Sequence, residues 1–297
     1  MFDWQFFTLL MSNGVLIGLM YSLIALGFVL VYKATDAINF AQGEFVMIAG
    51  FGVAVALGLY GAPLWLAVAV GLAGMIGFGF GLERVVLRPL IGRPIVAVIM
   101  ATIGLAAVLR GVGPLAWGAE TRSLPLPIPD EPIVLGPLFI PPIQLAGAAV
   151  SLIFLGAFGW FFLKSRKGIA MRAVADNQQV AMAMGINVER YFALAWAMAG
   201  VVSALGGIIW GNLLGVDVHL ALVGFKVFPV VILGGLDSVP GAIVGGLIVG
   251  IAENVAAGYI DPFVGGGTKD FIPYVLMIVA LMVRPYGIFG KAIIERV

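Results

Sequence analysis

Long apolar runs without a single charge fix the solvent of this chain before any motif is read. Residues 15–32 and 62–82 contain no Asp, Glu, Lys or Arg. Each approaches the ~20 apolar residues that cross a hydrocarbon core. In lipid every backbone N–H and C=O must be satisfied within the chain, which leaves helices or a closed barrel. Barrel strands alternate over roughly ten residues, whereas these runs are continuous. The expected fold is therefore all-α, a polytopic transmembrane helical bundle. The whole chain agrees: 62% of it is hydrophobic and 10% charged, against roughly 45–50% and 25% in soluble domains. With a mean hydropathy of +1.13, it has too few polar groups to cover a surface facing water.

Hydropathy predicts spans at 11–32, 43–60, 63–83, 94–112, 143–163, 191–211, 219–235, 240–258 and 271–289, about eight to nine membrane segments in one transmembrane domain over 1–297. Those after 211 are short and interrupted by Gly and Pro, so broken or re-entrant helices are expected among them. Basic residues in short loops mark the cytoplasmic side. Arg84, Arg88 and Arg93 follow the third span, and Lys164, Arg166, Lys167, Arg172 and Arg190 follow the fifth. Arg284, Lys291 and Arg296 lie at or beyond the last. With nine spans all three clusters face the cytoplasm, the N-terminus lies outside and the C-terminus inside. The loop at 113–142 carries only Arg122, and 259–270 only Lys269, as external loops should. The prolines Pro125, Pro127, Pro129, Pro132, Pro137, Pro141 and Pro142 make 113–142 an ordered, non-helical external loop. It either meets an external partner or ties two spans together.

Glycine spacing speaks to packing. Gly14/Gly18, Gly77/Gly81, Gly241/Gly245 and Gly246/Gly250 are four residues apart, and small residues at that spacing let membrane helices approach closely. Residues 1–10 lack the basic region and small-residue cleavage site of a signal peptide, so no cleaved leader is expected; Trp4 suits an interfacial lead-in. With no cysteine there is neither a disulfide nor a thiolate metal site, and a net charge of +1 gives no field for nucleic acid.

Enzyme signatures are missing from the sequence: no phosphate loop of the GxxxxGK[ST] type, no HExxH, no GxSxG. The single histidine, His219, at a span end, reads as an interfacial or packing residue rather than a base. No catalytic residue, metal or cofactor is expected in this chain.

The segment at 165–190, SRKGIAMRAVADNQQVAMAMGINVER, is far longer than a turn between spans needs. Ile169, Met171, Ala173, Val174, Ala181, Met182 and Met184 give it an apolar side, while Arg172, Asp176, Asn177, Gln178 and Gln179 give it a polar one; it breaks at Gly185. A short amphipathic helix on the cytoplasmic face suits either a groove on another protein or lipid headgroups. The absence of cations between Arg172 and Arg190 favours the protein groove.

That segment resembles the coupling loop of ABC-importer permeases, and in particular that of the LivH-like branched-chain amino-acid permease family. The resemblance is carried by Arg172-Ala173, Ala181 and Gly185-Ile186-Asn187, with Asp176 and Asn177 between them. Two further segments are similar to the same family: residues 16–50, including Ile38-Asn39-Phe40-Ala41-Gln42-Gly43-Glu44, and residues 224–250, with Leu233-Gly234-Gly235, Ser238 and Gly241-Ala242. Glu83-Arg84, Arg88-Pro89-Leu90 and Ala101-Thr102-Ile103-Gly104 add to it. Ser22, where alanine is commoner, and Asp237, where glycine is, depart from the pattern. The resemblance implies an importer permease for branched-chain or other hydrophobic amino acids, in a bacterial or archaeal inner membrane. It also implies partners: two cytoplasmic ATPases that bind ATP and Mg, a second permease or a copy of this one, and an external substrate-binding protein.

Polar groups at membrane depth mark candidate pathway residues. They are Asn39, Gln42 and Glu44; Lys226, a possible partner for Glu44; Gly234, Gly235 and Ser238 at a helix break; and Glu253 and Asn254. Two other readings remain open: a permease of the same kind for urea, amides or other amino acids, and a stand-alone channel or ion-coupled carrier built on Glu44 and Lys226.

Overall fold

The computed structural model describes residues 3–290 apart from Gly92 and Pro137, with only the backbone of Leu135. Lys291 and Arg296 of the C-terminal basic cluster lie outside the described residues. Among the described residues eleven α-helices follow one another: α1 Trp4–Thr35, α2 Gln42–Gly58, α3 Leu64–Leu82, α4 Ile95–Trp117, α5 Pro142–Lys164, α6 Arg166–Asp176, α7 Gln178–Ala183, α8 Val188–Leu214, α9 Leu222–Gly234, α10 Val239–Val264 and α11 Thr268–Val283. A two-stranded hairpin, β1 Ile133–Leu135 and β2 Leu138–Ile140, interrupts the proline-rich loop, with Val134 opposite Phe139. The chain is thus an all-α polytopic protein. Six helices among the described residues are long and apolar enough to cross a membrane: α1, α4, α5, α8, α10, and α3 with its continuation to Leu90. Helix α2 has 17 residues, α9 13 and α11 16, so the expected segments at 43–60, 219–235 and 271–289 are shorter as helices than as hydropathy peaks. Helix α4 runs past its expected end at 112, through Pro114.

The chain divides into two compact units. One comprises residues 30–126 and 154–225. Helix α8 is its axis, with α2 and α3 packed along it. The α3–α8 crossing is close because glycine meets backbone on both sides: Gly79 faces the carbonyl of Trp196, and Gly200 that of Met75. Trp196, Phe45 and Phe78 fill the core beside it, the Phe45 ring edge-on to Phe78 at 5.2 Å. Helix α3 does not stop at 83. It widens into a π-turn at Glu83–Leu87 and tightens into a 3₁₀ turn at Arg88–Leu90. At the other end of this unit, Arg122 pairs by backbone with Val216, and the Thr121 hydroxyl donates to Asp217 at 2.8 Å, which puts the ends of α4 and α8 side by side. Burial works to raise the Asp217 carboxyl, but hydrogen bonds from Thr121 and His219 outweigh it and hold the group below the usual carboxylate range.

The other unit comprises residues 1–29, 127–153 and 226–297. Here Gly14 and Gly18 of α1 meet Gly246 and Gly250 of α10: a Cβ on Gly14 would lie 2.6 Å from the Ile251 Cα, and one on Gly18 2.7 Å from the Gly246 carbonyl. Gly241 and Gly245 likewise meet α9 at Gly234 and Val230. Three of the four glycine pairs therefore make helix crossings. Gly77 and Gly81 face open space, because Gly79 between them is the residue turned toward α8. Backbone hydrogen bonds from Ile288 to Leu233 and from Phe289 to Gly234 hold the segment after α11 against the end of α9.

Ser22, the departure from the family pattern, has a use at the α1–α10 crossing. Its hydroxyl lies 2.8 Å from the Gly18 carbonyl and 3.2 Å from that of Ile243 on the facing helix. Interhelical hydrogen bonds in membranes average about 0.6 kcal/mol. Ser22→Ala is expected to cost about that much in a reversible unfolding titration. A loss above about 2 kcal/mol would show that the hydroxyl does more than bridge the two helices.

Candidate functional site

The 165–190 segment forms two short helices where the sequence suggested one. Ser165 caps α6, its hydroxyl accepting from the Gly168 N–H at 2.9 Å. The break falls at Asn177, whose backbone turns extended (φ −159°, ψ 109°) and whose side chain caps α7 by accepting from Val180 N–H at 2.9 Å. Asn in a helix interior competes for backbone donors in this way, so the sequence already carried the signal. Gly185, at φ +79°, ends α7 in the left-handed conformation that favours glycine. Asn187 then caps α8 through Arg190 N–H at 3.1 Å.

The apolar side of this segment is divided between two uses. Met171, Val174 and Ala181 are buried within the chain, whereas Ile169, Val180, Met182 and Met184 are exposed. Arg172 folds back onto the end of α5, donating to the Leu163 carbonyl at 3.2 Å with its guanidinium over the Phe162 ring. Ala173 lies on α6 beside it and is part-buried, Asp176 ends that helix, and Ile186 is part-buried in the turn between Gly185 and Asn187. Two links tie the segment to the helices around it. Gln178 donates to the Ala34 carbonyl at the end of α1 at 3.3 Å. Arg88 grips buried Glu83 with two hydrogen bonds, at 3.1 and 2.8 Å, and reaches Glu189 of α8 at 3.1 Å. Burial pushes the carboxyl of Asp36, next to that junction, up from its ordinary value.

The membrane-depth candidates fall into separate groups. Asn39 and Gln42 are fully buried and satisfied: Asn39 donates to Gln42 at 3.1 Å, and Gln42 donates to Ser203 of α8 at 2.9 Å. Glu44, 1% exposed, pairs with Arg110 of α4. The suggested Glu44–Lys226 pairing gives way to this one. Arg110, itself near the Phe225 ring, was missed although it stands alone in an apolar run, where an ionisable residue signals function or a buried partner.

Lys226 belongs to a second group, with its ammonium 2.8 Å from Asp270 of α11 and 3.9 Å from Glu253 of α10. Glu253 is 3% exposed, and Tyr21 of α1 hydrogen-bonds to it. Its second oxygen, Oε2, is buried without a hydrogen-bond partner among the described residues. Neighbouring Asn254 turns to the Gly250 carbonyl at 2.8 Å. Gly234, Gly235 and Ser238 build the turn between α9 and α10: Gly234 meets Gly241 backbone to backbone, Gly235 (φ +106°) lies against Gly290, and Ser238 caps α10 through Gly241 N–H at 3.0 Å. Among the described residues no three His, Cys, Asp or Glu side chains are grouped to hold a metal.

A polytopic helical chain with a two-helix segment between two candidate spans, and with Glu44 and Glu253 each buried and ion-paired to a partly exposed cation, suits a membrane transport subunit. The chain belongs to the family described as branched-chain amino acid transport system, permease component, whose model matches residues 10–281. Among its relatives, the high-affinity branched-chain amino acid transport system permease protein LivH of Salmonella typhimurium is 33% identical, covering 97% of this chain and 96% of the relative. BraD of Pseudomonas aeruginosa, a permease protein of the same description, is 31% identical with 96% of each covered. A probable branched-chain amino acid permease LivH of Methanocaldococcus jannaschii is 28% identical, covering 95% and 92%. The chain is a permease component of an ABC transport system.

Proposed function

We propose that this permease imports branched-chain or other hydrophobic amino acids, driven by ATPase subunits that dock on residues 165–190. The observation that carries the reading is the exposed apolar set Ile169, Val180, Met182 and Met184 on α6 and α7, within a chain whose relatives bear branched-chain amino-acid names. Those side chains lie outside the spans and suit a groove on a second protein. ATP and Mg belong to the ATPases, and this chain contributes no catalytic group. Closure of the ATPases pushes on α6 and α7; Gln178 and the Arg88–Glu189 link pass that displacement to α1, α3 and α8. A second permease, or a copy of this one, completes the conduit, and an external binding protein delivers the substrate.

The whole chain acts as one permease domain in the cell inner membrane, with nine segments, an outside N-terminus and a cytoplasmic C-terminus. Three observations support that topology. Helix α1 ends beside α7, α4 ends beside α8, and α9 ends beside the segment after α11. The 113–142 loop is then external. The substrate passes the Glu253–Lys226 group, where the unpartnered Glu253 oxygen suits an ammonium and Lys226 a carboxylate. The apolar conduit beyond needs no tight site, since weak binding speeds release. Asn39, Gln42 and Glu44 in one unit, and Gly234, Gly235, Ser238 and Asn254 in the other, are the further pathway candidates.

Placing Glu at Ala181, or Asp at Gly185, is expected to uncouple ATP hydrolysis from uptake. The first charges a buried site; the second strains a left-handed turn by about 1–2 kcal/mol. Uptake of labelled leucine and ATPase rate are measured together in proteoliposomes containing the whole transporter. Normal uptake per ATP in both variants would sink the coupling assignment.

A further inference from the structure

A cleft of about 530 Å³ opens where α3 ends and α6 and α8 begin. Its walls divide by chemistry. Phe80, Tyr191 and Leu194 come from the ends of two long apolar helices and form the apolar wall. Lys167, Asn187 and Arg190 form the polar one. Among the described residues no carboxylate lies within ion-pair distance of either Lys167 or Arg190. Glu189, next in sequence to Arg190, is engaged by Arg88. Two free cations are therefore held over an apolar floor, at the level where spans give way to loops.

The geometry points to a binding site for an anionic phospholipid, with its phosphate between Lys167 and Arg190 and an acyl chain along Phe80 and Leu194. Basic pockets between membrane helices on the cytoplasmic side take acidic headgroups in this way. A free phosphate shares the charge but leaves the apolar wall in water, so the lipid is the better fit. Lys167 opens α6 and Arg190 lies in the first turn of α8. A lipid bridging them pins both ends of the 165–190 segment. Occupancy thus sets the stiffness of the segment that the ATPases push, and makes transport depend on bilayer composition. The link to coupling rests on the function proposed above; the lipid site itself does not.

The test uses the whole transporter in nanodiscs of phosphatidylcholine alone or equimolar with phosphatidylglycerol, and reads bound lipid by native mass spectrometry. Wild type retains phosphatidylglycerol through detergent exchange. Because a cation near the surface contributes about fivefold to such binding, the double variant K167Q/R190Q binds about thirtyfold more weakly, and K167R binds as wild type. Retention by the double variant equal to wild type overturns the site. Displacement of the lipid by millimolar inorganic phosphate overturns its identity. Loss of coupled ATPase activity in the double variant, seen with phosphatidylglycerol and not with phosphatidylcholine alone, extends the site to regulation. Lipid retention is read without transport, so a wrong substrate assignment leaves this result standing.

Discussion

Arg110→Ala is expected to destabilise the permease by about 3–5 kcal/mol, because it strands the Glu44 carboxylate. Glu44 is buried and its ion-pair partner among the described residues is Arg110. The Arg110 side chain is partly exposed and the Glu44 carboxylate buried, so removing the arginine leaves the buried charge with its desolvation penalty and without compensation. Total stabilities of about 5–15 kcal/mol leave little margin for such a loss, so the variant should yield little folded protein. Adding Glu44→Gln to it should recover most of the loss, since no buried charge then remains. The check is a thermal melt of the purified proteins in detergent. If Arg110→Ala melts like wild type, the Arg110 pairing does not carry the stability of the buried Glu44. The ring of Phe225, 6.0 Å from the Arg110 guanidinium, adds a cation–π contact of about 0.5–1 kcal/mol.

The second large effect is expected at the α3–α8 crossing. Gly200→Ala adds one methyl that would overlap the Met75 carbonyl. Backbone cannot yield as a flexible side chain does, so the two helices must part along their shared core. The cost is expected to reach about 3 kcal/mol, with a lower folded yield. Gly77→Ala, in open space on α3, is the control and should stay within about 0.5 kcal/mol of wild type. Equal behaviour of the two would show that the crossing tolerates separation.

These two sites also mark what the sequence made legible and what it did not. Each of the nine expected hydropathy segments overlaps a helix, and among the described residues six helices are long and apolar enough to cross a membrane, because lipid admits little else and apolar runs report it directly. Spacing identified which glycines meet in α1 and α10. It failed in α3, where Gly71, Gly74, Gly77, Gly79 and Gly81 offer several faces and only the neighbouring helix decides which is used. Arg110 was legible as a lone charge in an apolar run, but its partner on α2 was not: pairing across 66 residues depends on the rotation of two helices about their axes. The break at Asn177 was legible from its capping chemistry and was hidden by the stronger signal of Gly185. The π-turn at Glu83–Leu87 left no trace in the pattern of residues.

Helix α2 has a consequence for how the protein meets bilayers of different thickness. Its 17 residues span about 26 Å, short of the roughly 30 Å of a hydrocarbon core. A helix facing lipid would answer that shortfall by thinning the membrane around it or by drawing flanking side chains outward. Helix α2 has no need to, because twelve of its residues are buried and its neighbours are α8, α3, α4 and the turn at Val218–Ala221. Its length is matched to protein rather than to acyl chains. Hydrophobic mismatch therefore acts on the outer helices alone, and a thicker or thinner bilayer tilts them without stretching the element that carries Glu44.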